Sequence, residues 1–523
     1  MCSEFWSGWF DKWGGRHETR GSKEMVAGLK EMLDKGISFS LYMTHGGTSW
    51  GHWAGANSPG FSPDVTSYDY DAPINEAGQV TPKYTELRNM LAEYSDKKLP
   101  AIPKEYAVIS IPKIQFTEVA PLFDNLPAAK NSMDIQNMEA FDQGWGSILY
   151  RTTAPEIPTQ SILTVTDAHD YAQIFVNGKL IGSLDRRNHE KTLLMPALKQ
   201  GDQIDILVEA MGRINFGRAI KDFKGITEKV ELGYTMNNGS QVTVNLKNWE
   251  VYNLCDSYQA QKNMKYVALK DQKVPGCYRA TFNLKKTGDT FLNLETWGKG
   301  QVYVNGHAIG RFWKIGPQQT LYMPGCWLKK GENEIIVQDI VGPEETSVEG
   351  LEKPIIDKLN VSSLNIHRKE GQNLDLSGET ACKTGEFAPG NGWQEVKFDQ
   401  PVIGRYVCIE ALNSHNNREY ACIAEWYMLD GKGQRISREP WTVAYADDED
   451  ISSGNKTADK IFDLQESTYW STNKDVKFPH YIVLDLGAEQ TLGGFQYLPR
   501  VEQGAPESIK AYKIYVKKTP FKF

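Results

Sequence analysis

The chain has 523 residues, 40% of them apolar, and a net charge of −8. That length points to about three to five domains, and the acidic balance leaves no basic stripe for nucleic acid. No apolar run reaches membrane-spanning length, and seven cysteines and nine histidines are scattered without the spacing of a zinc site or a disulfide framework, so neither a metal nor another cofactor is expected.

The first segment places one carboxylate, Glu4, among Trp6, Trp9, Phe10 and Trp13. Aromatic rings stack on the apolar faces of pyranoses while a carboxylate meets the anomeric carbon, so the segment suits a sugar site. A buried aromatic corner with Glu4 paired to Arg16 or Arg20 is the structural alternative. Glu4 is expected to end a strand. Ser22 is expected to cap a helix in which Met25, Val26, Leu29, Met32 and Leu33 keep the 3.6-residue period until Gly36. Residues 37–43 read as a buried strand. Thr81 and Pro82 open a second helix with Tyr84, Leu87, Leu91 and Tyr94 on one face. Strand end, helix, strand, long loop, helix is the order of the last quarter of a (β/α)8 barrel, whose active residues lie at the C-terminal ends of its strands. An open parallel pair has unprotected edges. Residues 1–100 are therefore expected to pack on the β domain that follows while leaving an apolar surface uncovered.

From about residue 104 the pattern changes to short alternating strands separated by Gly, Asn, Asp and Pro, the signature of all-β sandwiches. An internal repeat is visible. Gln173-Ile174-Phe175-Val176-Asn177-Gly178 recurs as Gln301-Val302-Tyr303-Val304-Asn305-Gly306, and Thr192-Leu193-Leu194-Met195-Pro196 as Thr320-Leu321-Tyr322-Met323-Pro324. Each copy reads as strand, Asn-Gly turn of type I′, strand, loop, strand. Two jelly rolls are expected, over 104–258 and 259–350. The loop Gly310-Arg311-Phe312-Trp313-Lys314 is expected to hold exposed aromatics that reach over a neighbouring pocket.

Three segments in order resemble glycoside hydrolase family 35 beta-galactosidases: Ser3-Glu4-Phe5-Trp6-Ser7-Gly8-Trp9, then His45-Gly46-Gly47-Thr48 through His52-Trp53-Ala54-Gly55-Ala56-Asn57, then Thr66-Ser67-Tyr68-Asp69-Tyr70-Asp71-Ala72-Pro73. They cover the first hundred residues and resemble the end of that family's catalytic domain. The resemblance implies a retaining mechanism with Glu4 as nucleophile and with Trp9, His52 and Tyr70 beside the galactose. His52 stands where the family more often has an aromatic hydroxyl; a loop histidine without a ligand role is its plain alternative. The family's proton donor lies upstream of the nucleophile in an Asn-Glu-Tyr-Gly type segment that has no counterpart here. Asn75-Glu76-Ala77-Gly78 belongs to a later loop. Position 1 already lies inside a motif, so the start of the chain says nothing about export, although a periplasmic or secreted location would suit a full-length family member.

After a linker rich in Pro, Glu and Ser over 343–370, the chain resembles the discoidin, or coagulation factor 5/8 type C, domain in an unusual order. Trp441 to Lys518 carries what normally begins that domain, with Ala458-Asp459-Lys460-Ile461-Phe462-Asp463, Ser467-Thr468-Tyr469-Trp470 and Pro479-His480-Tyr481. The usual ending sits upstream, as Trp393 to Phe398, Arg405-Tyr406 and Ile423-Ala424-Glu425-Trp426. One circularly permuted domain over 371–523, its first strand paired with its last, is expected; two separate modules are the alternative. Trp470, His480 and Arg500 are candidates for a sugar pocket, with core and salt-bridge positions an equal explanation of Trp470 and Arg500.

The expected fold class is thus mostly β: a partial (β/α)8 barrel remnant over 1–103, two jelly-roll β-sandwiches and a discoidin-like β-sandwich. The expected function is a beta-galactosidase-type retaining glycoside hydrolase acting on terminal β-linked galactose, inactive as this chain because the acid/base half is missing. Its partner would be a β-galactoside-containing oligosaccharide or glycan. The alternative is a non-catalytic carbohydrate-binding or scaffold protein with a vestigial barrel remnant.

Overall fold

The computed structural model describes residues 1–523 except 59, 60, 218, 237–239, 255, 361–366, 368–370, 372, 416, 417, 439, 452–455, 464, 465, 467 and 502–507. Cys255 and Ser467 lie outside the described residues. No helix is long and apolar enough to cross a membrane among those described.

The strand Cys2–Trp6 pairs in parallel with Phe39–Tyr42, with Phe5 opposite Leu41 and Trp6 opposite Tyr42. Parallel strands need a crossover, supplied here by the helix Ser22–Asp34. Gly21, in extended conformation, is its cap residue, and no side-chain capping bond forms. Ser22 is therefore not the cap: only a residue still outside the helix can turn its oxygen onto the first free N–H groups. Thr81 does cap the second helix, Pro82–Ala92, accepting from the Tyr84 N–H. Met25 and Leu29 of the first helix pack with Leu87 and Met90 of the second, over Phe5, Phe39 and Leu41. Met90 and Lys83, rather than Tyr84 and Tyr94, complete the buried face. Lys83 is buried because it bonds Asp71 and the Ser7 carbonyl.

This small layer gives the strand pair an interior on that side, and a two-stranded sheet is marginal without one. Leu29→Ala is expected to cost about 2–5 kcal/mol and to make residues 1–94 the first segment cut by trypsin. Equal resistance of variant and parent would refute this.

Residues 111–121 depart from the expected boundary at 104. Ile111–Gln115 joins the four-stranded sheet of Thr320–Met323, Thr290–Asn293 and Ser347–Leu351, and Glu118–Pro121 joins the six-stranded sheet built on Gly276–Leu284 and Gly331–Asp339. These residues open the second sandwich, and the first is inserted after them. Alternation in a sequence marks a strand and its inward face but does not name its neighbour. The first sandwich faces a six-stranded sheet, centred on Gly146–Thr153 and Gln203–Ala210, against a four-stranded one, centred on Ser161–Val165 and Val230–Thr235. Its core includes Ile148, Tyr150, Leu163, Ile206, Leu232 and Trp249.

The repeat persists in three dimensions. Asn177 and Gly178, and Asn305 and Gly306, all have positive φ, as a type I′ turn requires. Both hairpins also shift register at the same point of the repeat, between Ile174 and Phe175 and between Val302 and Tyr303.

The N-terminal segment packs on both sandwiches rather than on the first alone. Trp13, Ala56, Phe61 and Val65 share one core with Met211 and Ile214 of the first and Trp313 and Ile315 of the second. Phe312 and Trp313 are buried, so they do not form the exposed aromatic loop expected. Trp313 lies against Trp13 and Tyr171 under the Lys299 ammonium. Met1, Trp6 and Tyr42 remain exposed.

Asn188–Glu190 and Val361–Phe523 make up a second compact unit. Its sheet runs Lys383–Glu386, Ala511–Lys517, Gln394–Ala411, His480–Leu498, Glu425–Asp430, so its first strand pairs with its last, Lys383 opposite Ile514. One core joins Phe387, Val407 and Trp426 from the upstream half to Ile482, Phe495 and Ile514 from the downstream half. Trp470 is inside it, its indole N–H on the Asp448 carbonyl. His480 is enclosed as well, with Nδ1 2.8 Å from Asp447. Neither ring is available to a sugar. Arg500 stacks over Tyr469.

Candidate active site

The strand Cys2–Trp6 ends in a clamp. The Ser7 hydroxyl donates to the Met43 carbonyl at 2.6 Å, and Lys83 donates to the Ser7 carbonyl at 2.9 Å and to the Asp71 carboxylate at 2.6 Å. Arg20 donates through Nη1 to the Trp6 carbonyl, and its backbone N–H reaches Asp71. Arg20 thus secures the strand end through a carbonyl rather than by pairing with Glu4. The exposed Glu4 carboxylate accepts from the Trp6 indole N–H at 3.2 Å.

Around Glu4 the aromatic side chains form a continuous wall. Trp6 meets Trp9 edge-on at 5.0 Å, Trp9 stacks on Phe10 at 5.0 Å, and Trp9 lies 6.2 Å from Tyr70. Tyr70 in turn stacks on Tyr68 at 5.4 Å and meets Tyr42 edge-on at 5.6 Å. The hydroxyls of Tyr42 and Tyr68 are 3.3 Å apart. Burial, then the Tyr42 phenol, push the Tyr70 pKa up to about 12, with the Glu4 carboxylate adding to the rise and Arg20 opposing it. Tyr70 is therefore a protonated donor within the field of Glu4 at any ordinary pH.

Tyr70 and Asp71 both sit in the left-handed region, at φ 63° and 49°, where residues with side chains are uncommon and mark functional or strained sites. The conformation is held from two sides. Asp71 is locked by Lys83, and a Cβ at Gly8 would lie 1.9 Å from the Tyr70 carbonyl oxygen. Only glycine lets the Glu4 segment and the tyrosine loop approach this closely.

Glu4, Trp9 and Tyr70 are therefore brought together, and His52 faces elsewhere. Its ring nitrogens are buried, and its electrostatic neighbours are Arg311 and Gln301 of the second sandwich. Burial, then the Arg311 charge, depress its pKa to about 3, so it stays neutral. Sequence reasoning missed Tyr42 and Tyr68. The signal was present in Tyr68-Asp69-Tyr70-Asp71 and in a tyrosine ending the strand Phe39–Tyr42.

The nearby carboxyls have other tasks. Asp11 meets His17 at 2.7 Å, and Asp69 accepts from the Glu76 N–H. Glu76 is buried and accepts from the hydroxyls of Thr48 and Ser67, both at 2.6 Å, tying two loops together. Burial, outweighing those hydroxyls, raises its pKa to about 7. A carboxyl whose folded pKa exceeds its unfolded value binds more protons when folded, so stability falls as pH rises between the two. The melting temperature of the chain is expected to fall between pH 4.5 and 7, and Glu76→Gln to flatten that fall. Parallel pH profiles for variant and parent would contradict it.

Residues 1–94 match the model of glycosyl hydrolases family 35. Residues 136–254 match the first all-beta domain of beta-galactosidases, 275–333 their galactose-binding domain, and 444–520 the F5/8 type C domain. The chain thus carries beta-galactosidase modules of family 35 type, in this order, followed by a discoidin-like module. It is 36% identical over 403 residues to a beta-galactosidase-1-like protein of Mus musculus, covering 72% of this chain and 60% of the relative. It is 33% identical over 389 residues to a beta-galactosidase of Bos taurus (68% and 58%) and 34% over 329 residues to one of Xanthomonas manihotis (62% and 53%). The matches thus span between half and two thirds of these relatives' lengths.

Proposed function

We propose that this chain carries the nucleophile half of a retaining beta-galactosidase site for terminal β-linked galactose. Glu4 would attack the anomeric carbon as the bond to the leaving-group oxygen breaks, Trp9 would face the sugar ring, and Tyr70 would donate to a sugar hydroxyl or to Glu4. The observation that carries this reading is the meeting of Glu4, Trp9 and Tyr70 at the end of one strand, with Tyr70 titrating in the field of Glu4. A fluorosugar galactoside with a dinitrophenyl leaving group needs a nucleophile but little acid. It is expected to leave a galactosyl adduct on the peptide containing Glu4 and none on Glu4→Gln. A parent chain that forms no adduct would remove the reading.

The same proposal holds the chain inactive toward ordinary galactosides. The observation behind this is that Asp11, Asp69, Asp71 and Glu76 are each engaged with other partners, as described above. That observation also favours the second reading, a non-catalytic carbohydrate-binding or scaffold protein. For the last module, the pairing of Lys383–Glu386 with Ala511–Lys517 supports a circularly permuted discoidin-like domain over 371–523.

A further inference from the structure

Two exposed tryptophans of the first unit, Trp53 at 72% and Trp145 at 52%, lie against each other with ring centroids 5.6 Å apart and planes 50° apart. They come from segments far apart in sequence, and the backbone beneath them is fixed. The Ala56 N–H donates to the Arg213 carbonyl at 2.9 Å, the Asn215 N–H to the Ala56 carbonyl at 3.1 Å, and Arg213 Nη2 to the Gly144 carbonyl at 2.5 Å. The crossing is so close that a Cβ at Gly212 would fall 1.9 Å from the Gly55 carbonyl oxygen. Neither tryptophan belongs to the wall around Glu4, and neither fills a core.

We infer that Trp53 and Trp145 form a pre-set platform for a neutral oligosaccharide chain, in addition to the site at Glu4. The exposed apolar surface is small. Aromatic side chains offer about 150–250 Å² each, so this pair, with the exposed Phe216 on the adjoining loop, matches the footprint of a few sugar rings. Charge argues against an ionic ligand, because Arg213, beside the pair, is matched by Glu139 at 2.6 Å. What remains is two indole faces held at an angle, with Arg213 and Asn215 exposed at the margin. That arrangement suits ligands with apolar ring faces and a rim of hydroxyls. The platform needs neither Glu4 nor catalysis, so it goes beyond the function proposed above.

The test is a titration of the full chain with β-galactotetraose, followed by tryptophan fluorescence. Saturable quenching is expected in the parent and equally in Glu4→Gln. Trp53→Ala and Trp145→Ala should each weaken binding about tenfold, the scale of one aromatic contact, with an unchanged melting temperature. Trp53→Phe should retain most of it. The inference is overturned by absence of saturable binding, by binding that neither tryptophan variant alters, or by binding lost in Glu4→Gln, which would assign the sugar to the site at Glu4 alone. A concentration-dependent dimer that Trp53→Ala abolishes would also overturn it, since a second copy would then occupy the platform.

Discussion

The 523-residue chain is expected to show no sustained hydrolysis of lactose or alkyl β-galactosides. A retaining hydrolase needs a second carboxyl about 5–5.5 Å from the nucleophile. Asp71 and Glu76, carboxyls of the loop that carries Tyr70, are engaged elsewhere, Asp71 with Lys83 and Glu76 with Thr48 and Ser67. Without an acid, the leaving oxygen departs unprotonated and a factor of about 10² to 10⁴ is lost. The exposure of Glu4, Trp6 and Tyr42 costs more still, because a sugar with one wall is not held in line for attack. A nitrophenyl galactoside, whose leaving group needs little protonation, is the most permissive substrate. Multiple turnovers of it that vanish in Glu4→Gln would mean that an acid and a complete subsite are supplied, and the expectation would be wrong.

The largest loss of stability is expected from Lys224→Met. The Lys224 ammonium is fully buried, 2.6 Å from Asp170 and 2.8 Å from Asp222, and donates to the Gly212 carbonyl. Arg186 bridges the same two carboxylates at 2.7 and 2.8 Å. Removing one cation from such a group leaves buried negative charge uncompensated, at a cost of about 3–5 kcal/mol. Lys224 and Arg186 also both lie over the Phe61 ring, so the substitution should loosen the N-terminal loop where it rests on the first sandwich. Calorimetry should show a lowered transition for Lys224→Met that a second change, Asp170→Asn, partly restores, because the two residues are coupled. An unchanged transition, or strictly additive losses, would show that the network contributes nothing of the kind.

Much of the candidate site is legible in the sequence alone. Glu4, Trp9 and Tyr70 lie in short segments whose residue types already carry their chemistry, and both helices follow from a 3.6-residue period with a stop at Gly36 or a cap at Thr81. The Asn-Gly turns were legible for the same reason: Asn177, Gly178, Asn305 and Gly306 take positive φ because of what they are, whatever surrounds them. His52 was not legible. Its neighbours, Gln301 and Arg311, arrive from a sandwich some 250 residues later, and no local pattern states which surface a loop will meet.

The same limit explains the strands at 111–121, which open the second sandwich, the burial of Phe312 and Trp313, expected as exposed aromatics, and that of His480, expected in a sugar pocket, and of Trp470, offered equally as pocket or core. The sequence alone determined which segments become strands, helices and turns, and where a carboxylate would stand among aromatic rings, because those follow from side-chain chemistry over a few residues. Tertiary structure decided which strand lies beside which, and which rings are covered. Those outcomes depend on contacts between distant segments, where the free energy of burying a side chain is set by whatever packs against it.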